Sequence, residues 1–347
     1  MKGSIKLYRS VDLGKLIAAL LVVLIHAYDG QAYTATMLVF SLCRLAVPFF
    51  FITSGFFFHK GLENAVEKDA FVCKYVKKQL LLYFLWVLVV LLPCINNYIH
   101  IYKGQSGLFI VLVLLRRILL GGMGAYWYIL NLAESAIVIY FLEKNKRHKW
   151  LYLAIGIGLV LGFEYDNRFI IPLFNNQICI QMNKAFYTIF SWSNNFIMKG
   201  VPFMGIGYII YEKRDAIVHF GKSLYIAICC FLLATGINFY FYISDSRVEL
   251  FFIVQAVAFF IICITYEMSF STAVSIRFRE LSSCIYFMHT FFIYYVLDRL
   301  FGVYWNIALK YFSAVFLSCM TYFLIKAILK KHDIPLIRFM FNISSQA

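Results

Sequence analysis

Ten stretches of this chain are apolar over lengths suited to crossing the roughly 30 Å hydrocarbon core of a bilayer, and this limits its fold more than any other feature. They fall at about 13–28, 37–58, 77–95, 125–142, 150–163, 196–211, 223–243, 248–267, 282–300 and 311–329. In lipid every backbone N–H and C=O has to be satisfied within the protein, so runs of this kind form helices. The expected fold class is an all-α integral membrane protein, a bundle of about ten transmembrane helices. The stretch 150–163 is short for a span and requires its flanks or a thinned bilayer. Composition points the same way: the 347 residues are 63% hydrophobic and 14% charged, where a soluble domain carries about 25% charged residues.

The net charge of +15 is explained by where the cations lie. Lys and Arg cluster in short segments between the apolar runs. With the N-terminus placed in the cytoplasm, the inner segments hold roughly three times as many as the outer ones. Both termini are therefore expected inside, and the pattern offers no basic groove for nucleic acid. Residues 108–120, LFIVLVLLRRILL, are interrupted by Arg116 and Arg117 and read as an interfacial or re-entrant helix. The longest outer segment, 164–195, is polar and aromatic, as a lid over the outer face would be. Lys2, Lys6 and Arg9 ahead of the first apolar run mimic a signal peptide. No small-residue cleavage site closes that run and Lys15 interrupts it, so the run is expected to remain as a span. Residues 1–347 read as a single transmembrane domain, with no soluble domain. The nine cysteines show no CxxC and no metal-ligand spacing, and most read as small apolar packing residues. Cys94 and Cys179 are the pair that could meet on the outer side.

Ionisable groups inside spans are costly, so each one is a candidate for function. The first span, VDLGKLIAALLVVLIHA, carries Lys15 and His26 eleven residues apart. That spacing is almost three helical turns, which puts both on one face about 16 Å apart along the axis. Lys15 falls near the inner surface, where snorkelling explains it equally well, and His26 near the outer one. The second span, SLCRLAVPFFFITSGFFFHK, places Arg44 inside the bilayer, where it needs an anion, a carbonyl or a ligand group. Pro48 allows a kink there, and Ser54-Gly55 a close helix approach or a break. In the fourth span Asn131 and Glu134 stand at i, i+3. Glu134 is the carboxylate the spans place deepest, suited to be a counter-ion for Arg44 or another cation, or part of a proton path. His289 lies in the ninth span, in SSCIYFMHTFFIYYV, where a lone His is more often a packing residue than a catalyst. The segment MKGVPFMGIGYII is rich in Gly and Pro at its start, which fits either a broken helix lining a site or small-residue packing.

Taken in order, VDLGKLIAALLVVLIHA, RLAVPFFFITSGFFF, GAYWYILNLAE, KGVPFMGIGYII and SSCIYFMHTFF resemble the acyltransferase-3 family of integral-membrane acyltransferases over nearly the whole chain. The departure is Lys15, where the family usually has Arg; a Lys holds a phosphate as a point charge without the bidentate fork. Lys-bearing openings of this kind are similar to those in the membrane domains of membrane-bound serine racemases of the glycopeptide-resistance type. The chain is thus expected to be either a stand-alone acyltransferase or such a membrane domain. The resemblance implies a multi-pass protein of the bacterial cytoplasmic membrane. It implies acyl-CoA, most often acetyl-CoA, as the cytoplasmic donor and a hydroxyl or amine of an extracytoplasmic glycan or small molecule as acceptor, with O-acetylation of the cell envelope as the usual outcome. Catalytic roles fall to His26 as base or transient acyl carrier, Arg44 as oxyanion partner, and Glu134. Donor binding falls to Lys15, Ser54 and His289, with no metal. A homo-oligomer is left open. The rival reading, from the same intramembrane cations, Glu and His, is a transporter for serine or another small amino acid.

Overall fold

The computed structural model of the chain describes residues 8–28, 34–121, 123–144, 148–167, 177–190, 194–243, 250–303 and 305–344. Among these residues there is no strand. The α-helices are α1 (Arg9–Ala27), α2 (Thr34–Cys43), α3 (Ala46–Asn64), α4 (Lys68–Ile101), α5 (Gly107–Arg116), α6 (Trp127–Lys144), α7 (His148–Asn167), α8 (Gln177–Phe190), α9 (Val201–Glu212), α10 (Arg214–His219), α11 (Ser223–Ile243), α12 (Leu250–Thr265), α13 (Thr272–Thr290), α14 (Ile307–Lys331) and α15 (Pro335–Phe341), besides shorter turns. The protein is all-α and built for a membrane. Helix lies in each of the ten expected stretches. Six helical stretches of the described residues are long and apolar enough to cross a bilayer by length and composition: Arg9–Ala27, Val39–Asn64 (which takes in the end of α2, the turn at 44–45 and α3), Lys68–Ile101, Gly124–Lys144, Ser223–Phe241 and Ile307–Lys331. His148–Gly162 and Phe251–Thr265 are shorter apolar helices. Of the outer segment 164–195, residues 168–176 and 191–193 lie outside the described residues, as does the side chain of Cys179.

The chain divides into two compact units, residues 1–53 with 213–347, and residues 54–212. In the first unit α1 packs on α13 and α14, and α11 packs on α12. The contact face of α1 is made of small residues, since lipid tails are as apolar as Leu and helices gain by close van der Waals approach. Ala19, Val23 and Ala27 meet Ile285, Ile293, Leu297 and Ala314 in one buried cluster. Gly14 is required by the same closeness: a Cβ there would come within 2.7 Å of Phe49 Cζ and 3.0 Å of Cys263 Sγ.

The second expected span is not one continuous helix. It breaks at Arg44–Leu45, between α2 and α3, and Arg44 stands exposed in that turn rather than within a helix. Pro48 supplies the reason, because it has no N–H to give the carbonyl four residues back, that of Arg44, and its ring crowds that carbonyl. The chain re-enters the helix through Phe49 N–H donating to the Leu45 carbonyl at 2.9 Å. The ninth stretch also differs. Its helix begins well before residue 282 because Ser271 caps α13, its hydroxyl accepting from Val274 N–H at 3.3 Å. Beyond Thr290 the same helix widens into a π-helical segment, Phe291–Leu297, followed by one α-turn, Asp298–Phe301, that ends at Gly302 with φ 85°.

In the second unit α4 packs on α6 and α7 packs on α9. Gly55 of α3 lies against the Met204 backbone of α9 so closely that any Cβ would overlap it. Ser54-Gly55 thus serves close approach. The Gly- and Pro-rich segment combines an irregular start with close packing. It opens as a π-helix, Phe196–Gly200, capped by Asn195, whose side chain accepts from the N–H groups of Ile197 and Met198 at 3.0 Å each. It also packs through small residues, as a Cβ on Gly205 would come within 2.8 Å of Ile155 Cδ1. The stretch 108–120 is helical, as α5 and a π-turn Arg117–Gly121, and Arg116 Nη1 donates to the Thr188 carbonyl at 2.6 Å.

Candidate functional site

Helix α1 runs unbroken from Arg9 to Ala27, so Lys15 and His26 share a face about 16 Å apart along the axis. The N-terminal end of α1 holds an acid that the sequence reading passed over. Asp12 Oδ1 lies 3.5 Å from Lys15 Nζ, and Asp12 Oδ2 accepts from Ser275 Oγ at 2.6 Å. An acid three residues before a Lys is legible as a helical i, i+3 pair; Ser275, on α13, is not.

At the other end of α1, three polar rings meet. His26, in the last turn, is half-buried. Its Nδ1 lies 2.8 Å from the Tyr294 hydroxyl. The His289 ring is 5.0 Å from the His26 ring, tilted by 49°, and the Tyr294 ring stands edge-on to His26 at 5.9 Å. His289 is fully buried, and its Nδ1 lies 3.0 Å from the Ile285 carbonyl. A carbonyl only accepts, so Nδ1 carries the proton and Nε2 holds a lone pair. That Nε2 has no hydrogen-bond partner among the described residues. A buried acceptor left in this way calls for a donor from a ligand or a water.

The π-helical segment explains how Tyr294 reaches His26. Five residues along an α-helix turn through 500°, so Tyr294 would stand about 140° away from His289. A π-turn bonds i to i+5 and brings the fifth residue back toward the same face. Ile293 and Leu297 of that segment are buried against α1, and just beyond it Asp298 pairs with Lys310 at 2.7 Å. Lys310, which the sequence places on an outer flank, is buried, and it also donates to the Val303 carbonyl at 2.6 Å.

The first unit therefore brings together His26 and His289 of the expected residues and adds Tyr294. Lys15 stands at the far end of α1, and Arg44 in the turn before α3. Ser54 and Glu134 belong to the second unit. Ser54 Oγ is 2.8 Å from the Tyr128 hydroxyl. With its amide turned so that nitrogen faces the carboxylate, Asn131 donates to Glu134 Oε2 at 3.1 Å and accepts from Phe196 N–H at 3.3 Å. Glu134 is half-buried, and Glu280 is a further carboxylate, with no exposure. Glu280 Oε2 accepts from Tyr322 at 3.0 Å and Lys326 at 3.2 Å, and its Oε1 from the Ser344 N–H at 2.8 Å and hydroxyl at 2.6 Å. It ties the segment after α15 back onto α13 and is a structural anchor. Among the described residues no group of three or more His, Cys, Asp or Glu could hold a metal ion.

The chain belongs to the acyltransferase-3 family: the profile of that family, described as an acyltransferase domain, matches residues 8–329. Two curated relatives, both named amino-acid racemase and both from Enterococcus faecalis, are 25% identical over 238 residues and 28% identical over 192. The aligned parts make up 62% and 53% of this chain but 32% and 26% of the relatives, so the chain spans less than a third of their length. No solved structure matches it.

Proposed function

We propose that this member of the acyltransferase-3 family moves an acyl group, most simply acetyl, from cytoplasmic acyl-CoA to a hydroxyl or amine of an acceptor outside the membrane, such as a cell-surface glycan. The single observation that carries the reading is the His26 imidazole, half-buried beside His289 at the opposite end of α1 from Lys15. An imidazole is the side chain best matched to taking and returning a proton near neutral pH. His26 takes the proton of the acceptor O–H or N–H as that atom attacks the thioester carbon. The C–S bond then breaks and the proton passes to the departing CoA sulfur. Lys15 holds a CoA phosphate, exchanging its contact with Asp12 for it. Arg44 faces the oxyanion that develops on the acyl carbonyl. His289 holds the pantetheine arm. The protein is a multi-pass resident of the bacterial cytoplasmic membrane, with ten spans and both termini inside.

A second reading draws on the relatives named amino-acid racemase: a membrane domain that carries serine or another small amino acid. Inside-out vesicles separate the two. They are supplied with acetyl-labelled acetyl-CoA and envelope acceptors in the lumen, and wild type is compared with His26→Ala at equal amounts of folded protein. Label moved to non-CoA material by the wild type and lost in His26→Ala is the expected result. No transfer by either, with serine uptake intact, refutes the acyltransferase reading for this donor.

A further inference from the structure

The π-helical segment Phe291–Leu297 sits directly after His289 and delivers one polar group to α1, the Tyr294 hydroxyl on His26 Nδ1. Segments of this kind recur at functional sites because they spend backbone regularity to re-aim a side chain. Here both ends are held. Ile293 and Leu297 are fixed in the cluster with Ala19, Val23 and Ala27, and the Asp298–Lys310 pair fastens the turn that follows.

We propose that Tyr294 is a positioning residue for His26: its oxygen accepts the Nδ1 proton, so that the neutral imidazole keeps its lone pair on Nε2. The proposal rests on His26 being the base of the acyl transfer described above. An imidazole free in water prefers the opposite tautomer, with the proton on Nε2 and no lone pair there to take a proton. A partner on Nδ1 decides between the two. The Tyr294 hydroxyl oxygen has lone pairs to offer an Nδ1–H at the observed 2.8 Å. When Nε2 takes the acceptor's proton, the same oxygen accepts from the imidazolium and holds the ring in place until the proton passes to the leaving sulfur. His289 is held in the Nδ1–H form by the Ile285 carbonyl, so both rings carry the proton on the same nitrogen.

The test uses the full chain in lipid nanodiscs with ring-15N histidine, the His26 signals being assigned by their loss in His26→Gln. Wild type is compared with Tyr294→Phe, which keeps the ring and removes the hydroxyl. The expected wild-type spectrum at neutral pH shows His26 protonated on Nδ1, with a pyridine-like Nε2. In Tyr294→Phe the Nε2–H form should appear. In vesicles the same variant should lower kcat about ten-fold, the size of one hydrogen bond, with KM for acetyl-CoA unchanged. An unchanged tautomer or an unchanged kcat in Tyr294→Phe overturns the proposal. So does a wild-type His26 already protonated on Nε2, a result that stands even if the variant fails to fold. Absence of acyl transfer by the wild type would instead count against the reaction, and the tautomer would still decide the role of Tyr294.

Discussion

The pair Asp298–Lys310 allows a quantitative test of how the end of the π-helical segment is held. The two side chains are 10% and 3% exposed, and their charged atoms are 2.7 Å apart. A pair this enclosed is costly to break from one side, because the remaining charge stays buried without compensation. Lys310→Met should destabilise the protein by about 3–5 kcal/mol, and Asp298→Leu by a comparable amount. Replacing both removes the stranded charge, so Asp298→Leu/Lys310→Met should be less damaging than either single change, with only the Val303 carbonyl losing its donor. The coupling from the double-mutant cycle should therefore be at least about 3 kcal/mol. Unfolding in detergent can be followed by a maleimide dye that reports Cys43, Cys263 and Cys284, which are buried, after the exposed Cys73 and Cys229 have been blocked. Single variants within about 0.5 kcal/mol of wild type, or a double variant whose cost equals the sum of the singles, would refute the reasoning: the charges would then be solvated or independent.

The anchor at Glu280 predicts a loose C-terminal segment in Glu280→Gln, read as faster hydrogen exchange over residues 335–344 with the rest of α13 unchanged. The same contact should depend on pH. Burial alone would raise this carboxyl, but the donors from Ser344 and Lys326 outweigh it and hold it below the usual carboxylate range. Its contribution is then fully present above the unfolded value of about 4.3 and lost as the pH falls through the lower folded value; protection of 335–344 that survives well below that range would contradict this. At Gly55, an added methyl must displace the Met204 backbone, so Gly55→Ala should cost about 1–3 kcal/mol in the thiol assay. Gly156→Ala on α7, where a Cβ meets nothing within 4 Å, should cost nothing and can stabilise by about 0.4–1 kcal/mol.

The difference between what the sequence announces and what it conceals follows from range. Apolar length is a local quantity, and the need to satisfy the backbone in lipid turns it into helix wherever it occurs. The all-α class and the helices were legible for that reason, as was the shared face of Lys15 and His26 on an unbroken α1. Pro48 was legible as a disturbance, but its effect falls four residues upstream, at the carbonyl it cannot satisfy, and so Arg44 stands in a turn rather than within a helix. Tyr294 was hidden more deeply. Read with the α-helical period, it belongs to a different face from His289, and nothing in FFIYYVL marks a change of period. The change is bound up with tertiary contact: Ile293 and Leu297 pack on the small-residue face of α1, and Lys310, from the next long helix, takes up Asp298. A lone histidine in the ninth span is most economically a packing residue when its helix is considered by itself. It becomes part of a candidate site only when α1 brings His26 to within 5.0 Å of it, and the same packing leaves its Nε2 with no hydrogen-bond partner among the described residues. A buried acceptor without a donor is a cost, which an N–H or O–H from a water or a ligand would relieve.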